Sequence, residues 1–499
     1  MNDTLKKGIE EFSKRNFLVA EKIFINLIRN NPLFSPAYSS LIQTFISQDK
    51  LDEALKYSEK LHKLDKNNER GLFFIGIIKF KKKKYDEALI NFSNALTINP
   101  KNHMVLMNIG ITYYRLGENK IAIKNIRESV LLNDKNEAAY YNLGVIYEDE
   151  DNLDMAMEAY NKVISLNPKH HDALHGVAQI QLTRLDYING FKNYEVRWYI
   201  KGFEYRHRLI NRLSSINNIS GKKILVWCEQ GFGDTIQFSR YIDKLVDAGA
   251  KVTFEVQSPL LTFFKRQFSC NVTNNAGGEE FDFQCPTMSL PYVFGTDNKN
   301  IPQIQKYFDC DIKKYNFWKS RLSLSNNKLN LGISISGNRN HIKDKRRRVN
   351  LDNFLNLIDF CNIYIIQKDL YENDKEFLKK NTNIKYLGND KEWIDFEDTS
   401  AIVKNMDAIV SVDTSLIHLS ASMNQTTYLL LSKPADWRWS KEGFELPVWY
   451  KNLRIIRQKD KGLWENVINK LSTLFPAYSL GKFKQYIEIA SLAPKFSKI

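Results

Sequence analysis

The sequence predicts a helical solenoid followed by a pair of doubly wound α/β domains, and three observations carry that prediction. Small residues recur with a period of 34 through the first part of the chain. From Gly221 onward, strand-like apolar runs alternate with helical stretches. Glycine-bearing turns follow several of those runs directly, the position at which ligands sit in parallel α/β sheets.

The period is carried by Ala20, Ala54, Ala88, Ala122 and Ala156, each 34 residues apart. Gly8, Gly76, Gly110 and Gly144 share it, with Ile42 as the bulky exception, and Asn-Pro or Asp-containing pairs such as Asn31-Pro32, Asp65-Lys66 and Asn99-Pro100 close the units. Small residues at fixed spacing let two antiparallel helices approach closely, and the closing pairs stop the second helix before the next begins. Leu143, Tyr147 and Tyr160 fill apolar faces of the fifth unit, and a degenerate sixth unit is expected over 171–198. The pattern resembles the tetratricopeptide repeat, whose stacked units bind partners along a groove or act as spacers. Lys81-Lys82-Lys83-Lys84 falls at an expected turn and reads as a solvated cation cluster rather than a nucleic-acid contact.

Beyond Gly221, the runs 223–228 and 251–256 read as buried strands flanking a helix, a βαβ unit with a glycine-rich turn after its first strand. A second series places strands at 329–335, 363–366, 408–412 and 428–431. Two successive series of this length suggest two Rossmann-like domains with a ligand cleft outside the carboxyl ends of their strands. The expected domains are a solenoid over 1–200, an acceptor-side Rossmann-like domain over 201–325, a donor-binding one over 326–475, and a helix or tail over 476–499.

Three constellations fall at strand ends. In Gln230-Gly231-Phe232-Gly233-Asp234, Ile236 stands where a dinucleotide fingerprint needs its third glycine, which argues against a nicotinamide cofactor. Asp234, at the start of a helix, is read either as general base for an acceptor hydroxyl or as a helix cap. The second constellation is Ser336-Gly337-Asn338-Arg339, followed by Lys343, Lys345, Arg346, Arg347 and Arg348, a turn and cations suited to a diphosphate. The third is Asp413-Thr414-Ser415 leading to His418, a second phosphate seat in which Asp413 would cap or orient rather than bind the anion. A lone helical histidine such as His418 is more often a satisfied core group than a ligand contact.

Composition bounds the class. With 499 residues, 43% of them hydrophobic and 12% aromatic, the chain is globular and too long for one ordinary core. No run approaches the ~18 apolar residues of a membrane span, and the beginning of the sequence lacks the apolar stretch of a secretory signal, so no transmembrane segment and a cytoplasmic location are expected. Cys228, Cys270, Cys285, Cys310 and Cys361 are scattered without a paired spacing and read as buried thiols. The formal charge of +15 is local: residues 1–200 hold 28 basic against 25 acidic side chains, 301–350 hold 12 against 3, and 451–499 hold 10 against 3. No nucleic-acid partner is expected from a repeat region so nearly neutral. Absence of an Asp-x-Asp at a strand end disfavours metal-assisted sugar transfer, and absence of a Walker loop or a Gly-x-Ser-x-Gly elbow removes support for ATPase or hydrolase chemistry.

The motifs of 221–260, with Cys285-Pro286, Gly295-Thr296, Ser336-Gly337-Asn338, Val412-Asp413-Thr414 and Asp436-Trp437-Arg438-Trp439, resemble bacterial tetratricopeptide-repeat glycosyltransferases similar to glycosyltransferase family 9, which includes heptosyltransferases. The resemblance implies a GT-B fold, metal-independent inverting transfer, and no cofactor, the nucleotide-sugar being a substrate. It implies Asp234 as catalytic base and Arg347, Asp413, Thr414, Ser415 and His418 toward the donor phosphates. Gln367 and Lys368 would contact the nucleotide, and Trp437 or Trp439 would stack on a ring. Gln230, Gly231, Gly233, Gly337 and Asn338 complete the expected substrate-binding set. Ser415 and Arg347 depart from the glycine and lysine usual in heptosyltransferases, which leaves the sugar open. Partners would be a nucleotide-sugar donor, a glycan, lipid or protein acceptor, and a protein held by the repeat groove. A scaffold with a degenerate transferase half is the alternative.

Overall fold

In a computed structural model, the described residues are 2–203, 205–303, 307–324, 327–339, 344–439 and 448–475, so the expected element at 476–499 lies outside them. The chain divides into two compact units, the first ending at Gly176 and the second beginning at Val177.

The first unit is a run of helix pairs, from Asn2–Ser13 with Phe17–Asn30 to Glu137–Asp149 with Leu153–Leu166. The alanines of the 34-residue series are all fully buried. The glycine series explains itself sterically: a Cβ on Gly76 would lie 2.5 Å from the Phe92 ring, and one on Gly144 would lie 2.4 Å from the Tyr160 ring. Where Ile42 replaces the glycine, the corresponding position sixteen residues on is the small Ser58, and both are fully buried. The exception is therefore a swap of large and small, which keeps the packed volume. Each pair turns through a residue with positive φ at Arg15, Asp49, Lys83, Gly117 and Asp151. The Lys81–Lys84 run is accordingly a turn between Arg70–Lys81 and Tyr85–Ile98.

The second unit holds two all-parallel sheets. Its strands are β1 (Lys223–Trp227), β2 (Lys251–Glu255), β3 (Asn271–Thr273), β4 (Phe283–Pro286), β5 (Leu329–Ser334), β6 (Cys361–Ile365), β7 (Ile384–Tyr386), β8 (Ala408–Val412), β9 (Thr427–Leu431) and β10 (Leu453–Arg457). The first sheet runs β3-β2-β1-β4 and the second β10-β9-β8-β5-β6-β7. Read from its own first strand, the second sheet has the 3-2-1-4-5-6 order of the doubly wound fold, and the first sheet has its 3-2-1-4 portion. Strands buried on both faces read as continuous apolar runs, which is why β1, β2, β5, β6, β8 and β9 were visible in the sequence. The short β3, β4 and β7 carry no such run.

The expected sixth unit is a helix pair, His171–Thr183 with Tyr187–Tyr194, turning at Leu185 with positive φ; the boundary between the compact units falls within its first helix, and Tyr187, Phe191 and Tyr194 pack among Phe238, Trp437 and Trp449. Of the five cysteines, Cys228, Cys285 and Cys361 are buried, whereas Cys270 and Cys310 are partly exposed, and none is in a disulfide.

Candidate functional site

The two parallel sheets have topological switch points between β1 and β4 and between β5 and β8, where connections leave in opposite directions, the place at which such folds bind ligands outside the carboxyl ends of their strands. The loops singled out in the sequence lie there: Gly231 to Asp234 after β1, Ser336 to Asn338 after β5, and Asp413 to Ser415 after β8.

The loops after β1 and β8 meet directly. A Cβ on Gly233 would stand 2.7 Å from His418 Cδ2 and 3.5 Å from Ser415 Cα, so glycine lets the helix Phe232–Phe238 lie against Ser415–Ser422. Asp234 Oδ2 accepts from the Gly231 N–H at 2.9 Å, which ties the carboxylate to the start of its own helix. Its Oδ1 accepts from Arg438 Nη2 at 2.5 Å, and Arg438 Nη1 donates to Asp436 Oδ1 at 2.8 Å. Arg438 is buried and lies over the Trp437 ring. Two carboxylates and an aromatic face outweigh its desolvation and hold it charged.

The loops after β5 and β8 are joined by Arg347. Its Nε donates to Asp344 Oδ1 at 2.9 Å and its Nη1 to the Asp413 carbonyl at 2.7 Å. The guanidinium lies so close to Gly337 that a Cβ there would be 2.0 Å from Nη2. Asp344, fully buried, also accepts from the Gly337 N–H at 2.7 Å and from the Tyr371 hydroxyl at 3.0 Å. One carboxylate thus fixes both the glycine turn and the arginine beside it. Burial and the neighbouring Asp436 carboxylate push Asp413 up to about 6, with Arg347 and Arg438 opposing them. Thr414 is the N-cap of Ser415–Ser422 and exchanges a hydroxyl contact with Ser411 at 3.0 Å.

Other expected site residues are engaged within the fold. His418 is buried, shares a 2.9 Å hydrogen bond between Nδ1 and the Tyr450 hydroxyl, and stacks on Trp439. Burial, with Arg438 and Arg240 nearby, pulls it down to about 3, so it is neutral near pH 7. The expected ring-stacking role of Trp437 and Trp439 is corrected: both indoles are in the core, Trp437 against Phe191 and Tyr194 and Trp439 against His418 and Tyr450. Gln367 is buried, its Oε1 accepting from the N–H groups of Ile335 and Ser336 at 3.1 and 3.2 Å, which braces the turn after β5. Lys368 donates to the Trp393 carbonyl and lies over that ring. Gln230 Nε2 donates to the Tyr194 hydroxyl at 3.2 Å, and Asn338 is exposed. Asn340, His341 and Lys343 lie outside the described residues.

Asp344, Asp436 and Arg438 were missed as site residues in the sequence. Asp344 is the single acid inside the basic run, and Asp436 and Arg438 flank the tryptophans that drew attention instead. Among the described residues, no group of three or more His, Cys, Asp or Glu side chains is arranged to hold a metal ion, and no helix is long and apolar enough to cross a membrane.

Residues 69–102 and 137–170 each match the tetratricopeptide repeat. Solved structures similar to the chain include a thermophilic tetratricopeptide-repeat protein of Thermus thermophilus, at 20% identity and a TM-score of 0.34 over 36% of this chain and 98% of that one. YrrB, described as a tetratricopeptide-repeat protein with an unusual peptide-binding site, shares 22% identity at a TM-score of 0.28 over 37% and 94% of the respective chains. Pseudomonas aeruginosa pilF shares 17% at a TM-score of 0.35 over 40% and 92%. No curated protein matches the chain. The two repeat matches identify tetratricopeptide repeats in the N-terminal helices, and these suggest a protein-interaction role.

Proposed function

We propose that the α/β unit is a metal-independent, inverting glycosyltransferase that takes a sugar from a nucleotide-sugar donor to a hydroxyl of a glycan, lipid or protein, with the repeats recruiting the acceptor or a partner. It would use no cofactor, the nucleotide-sugar being a substrate, and its fold would be of GT-B type. The observation that supports this reading most is the meeting of the strand-end loops of both sheets around Asp234, Arg438, Arg347 and the Thr414 helix start.

Sugar transfer from a nucleoside diphosphate needs two things of a protein: a base for the acceptor proton and positive charge for the departing diphosphate. Arg347 uses two of its five N–H donors on Asp344 and Asp413, which fix its orientation and leave donors for phosphate oxygens. The amides at the start of Ser415–Ser422 add a partial positive charge beside it. Asp234 takes the acceptor proton, oriented by the Gly231 N–H and Arg438. Neutral His418 serves packing and hydrogen bonding rather than charge neutralisation.

The test is Asp234→Asn. Transfer should fall by about 10²–10⁴-fold, the usual worth of a general base, with donor affinity by calorimetry nearly unchanged. Equal loss of binding and transfer would refute the base role. The scaffold alternative draws on one observation: both Asp234 oxygens already have protein partners, as a purely structural cap would. A thermal-shift screen in which no nucleotide-sugar stabilises the purified protein would favour it.

A further inference from the structure

The helix Tyr187–Tyr194 belongs to neither parallel sheet, yet three of its aromatic side chains are buried in the core of the α/β unit. Tyr187, Phe191 and Tyr194 are spaced four and three residues apart, so they share one face of the helix. Phe191 stands edge-on to Phe238 at 6.4 Å and to Trp437 at 5.7 Å, with interplanar angles of 89° and 84°. Phe238 ends the helix that carries Asp234, and Trp437 precedes Arg438. One phenyl ring therefore touches the segments that supply both partners of the Asp234–Arg438 ion pair.

Tyr194 reaches the same two segments through a different contact. Its ring lies 6.3 Å from that of Trp437, and its hydroxyl accepts from Gln230 Nε2 at 3.2 Å. Gln230 immediately precedes Gly231, whose N–H holds Asp234 Oδ2. The charges of Arg438 and Asp234 both act on the buried Tyr194 hydroxyl. Packing alone would be satisfied by phenylalanine, as it is at position 191, and a buried hydroxyl is costly unless it is bonded. The polar contact with the Asp234 loop, rather than volume, accounts for a tyrosine here. Gln230 is tied from its other side as well: its carbonyl accepts from Gln257 Nε2 at 2.8 Å, and Gln257 Oε1 accepts from the Thr235 hydroxyl at 3.0 Å. Arg197, which lies over the Tyr194 ring at 5.1 Å, bonds Glu229 at 2.9 and 3.0 Å. The end of this helix and the turn after it thus hold Glu229 and Gln230 in succession.

An ion pair fixes the separation of two groups but not the path of the segments that carry them, and a reacting group displaced by about 1 Å can lose about 10²-fold in rate. We propose that Tyr194 is a positioning residue for transfer, holding the Asp234 loop through Gln230 and the Arg438 segment through Trp437, an assignment that rests on Asp234 being the base. The second helix of the sixth pair is then a working part of the site, beyond the strand-end loops that form the rest of it.

The experiment compares Tyr194→Phe, which keeps the ring and removes the hydroxyl, with Gln230→Leu and with the two combined, all in the full chain. Amide hydrogen exchange reads the loop without any substrate. Release of nucleoside diphosphate from UDP-glucose, UDP-N-acetylglucosamine, ADP-glucose and GDP-mannose reads the chemistry. Tyr194→Phe should speed exchange over 230–236 by about fivefold while leaving β5 and β6 unchanged. For a donor that is turned over, kcat should fall by about tenfold with the donor KM within about twofold. The combined variant should lose no more than the worse of the two single variants, because both break one contact. The assignment is overturned if exchange over 230–236 does not change, if it rises equally in β5 and β6, if KM rises while kcat holds, or if the two losses multiply. Release from none of the four donors by the natural protein counts against the transferase reading itself, and the exchange measurement then decides the bracing alone.

Discussion

In the repeats, a glycine on one helix meets a side chain sixteen positions later, Gly76 against Phe92 and Gly144 against Tyr160. In the α/β unit, the Asp234 carboxylate meets a guanidinium 204 positions away. The first kind of contact is set by helix geometry and repeats with the period, so a single sequence displays it four times, at Gly8, Gly76, Gly110 and Gly144, and once with large and small exchanged, at Ile42 and Ser58. The second depends on two sheets being wound and brought together, and no spacing in the sequence encodes it. The difference explains what could be read in advance. The repeat register, the turns and the main strands were legible, because each rests on residues a few positions to a few turns apart. Even the exception at Ile42 was visible, although its compensation by Ser58 needed the helix pairing to be understood.

At the site, legibility was partial for a physical reason. Strand-end glycines and hydroxyls announce backbone conformations, which are local, so the turns at Gly233, Gly337 and Thr414 are legible and lie in the loops after β1, β5 and β8. The partners that orient charge are not local. Arg438 was hidden behind Trp437 and Trp439, whose aromatic character suggested a ligand surface but whose burial makes them core. Likewise, the basic run looked like a single feature, yet side chains on successive residues leave a short helix in different directions, so Arg347 parts from Arg346 and Arg348.

The contrast can be tested separately in each unit, because all eight tryptophans lie between 198 and 464, within the second unit. Tryptophan emission therefore reports the α/β unit alone, and far-ultraviolet circular dichroism reports both. The largest effect is expected at Arg197, which is fully buried and bonds Glu195 at 2.5 Å, Glu229 at 2.9 and 3.0 Å, and Ser289 at 2.7 Å. Glu229 in turn accepts from the Met288 N–H at 3.0 Å, so the cluster braces the loop that leads to Asp234. Removing one partner of such a cluster leaves buried charge uncompensated, so Arg197→Met should cost about 3–5 kcal/mol in urea unfolding followed by tryptophan emission. Adding Glu229→Gln should return part of that loss. An unchanged midpoint for Arg197→Met would mean the long-range network contributes nothing to the unit that depends on it.

A smaller effect of opposite sign is expected at Asp413. Burial and Asp436 raise it to about 6, against Arg347 and Arg438, so the folded state binds its proton more tightly than the unfolded chain does. Its favourable contribution is complete below the unfolded carboxylate range near pH 4 and is lost as pH rises through about 6. Asp413→Asn keeps the shape without the titration. The variant should therefore be more stable than the natural protein above pH 6, by about 1–3 kcal/mol, and the gap should close by about pH 4. The titration of His418 is common to both proteins and cancels in the difference. A gap that stays constant from pH 4 to pH 7 would show that neither burial nor Asp436 raises Asp413 in the fold.

The smallest effect belongs to the repeats, where the same local register that makes them legible also fixes the backbone. Positive φ recurs at Arg15, Asp49, Lys83, Gly117 and Asp151, with 59° at Lys83 and 89° at Gly117. Only one of these five turns uses the residue best suited to the left-handed region. A Cβ on Gly117 meets nothing within 4 Å, so Gly117→Ala tests backbone strain with no clash to confuse it. It should cost about 1 kcal/mol. Lys83→Gly relieves the strain but adds freedom to the unfolded chain, so its net gain should be only about 0.5 kcal/mol. Both shifts should appear in circular dichroism and leave the tryptophan transition where it was, because the altered turns lie in the unit that has no tryptophan. If Lys83→Gly instead destabilised the repeats by as much as Gly117→Ala, the lysine would be supporting its turn through side-chain contacts, and the 34-residue register would describe the chain's path without setting its energy.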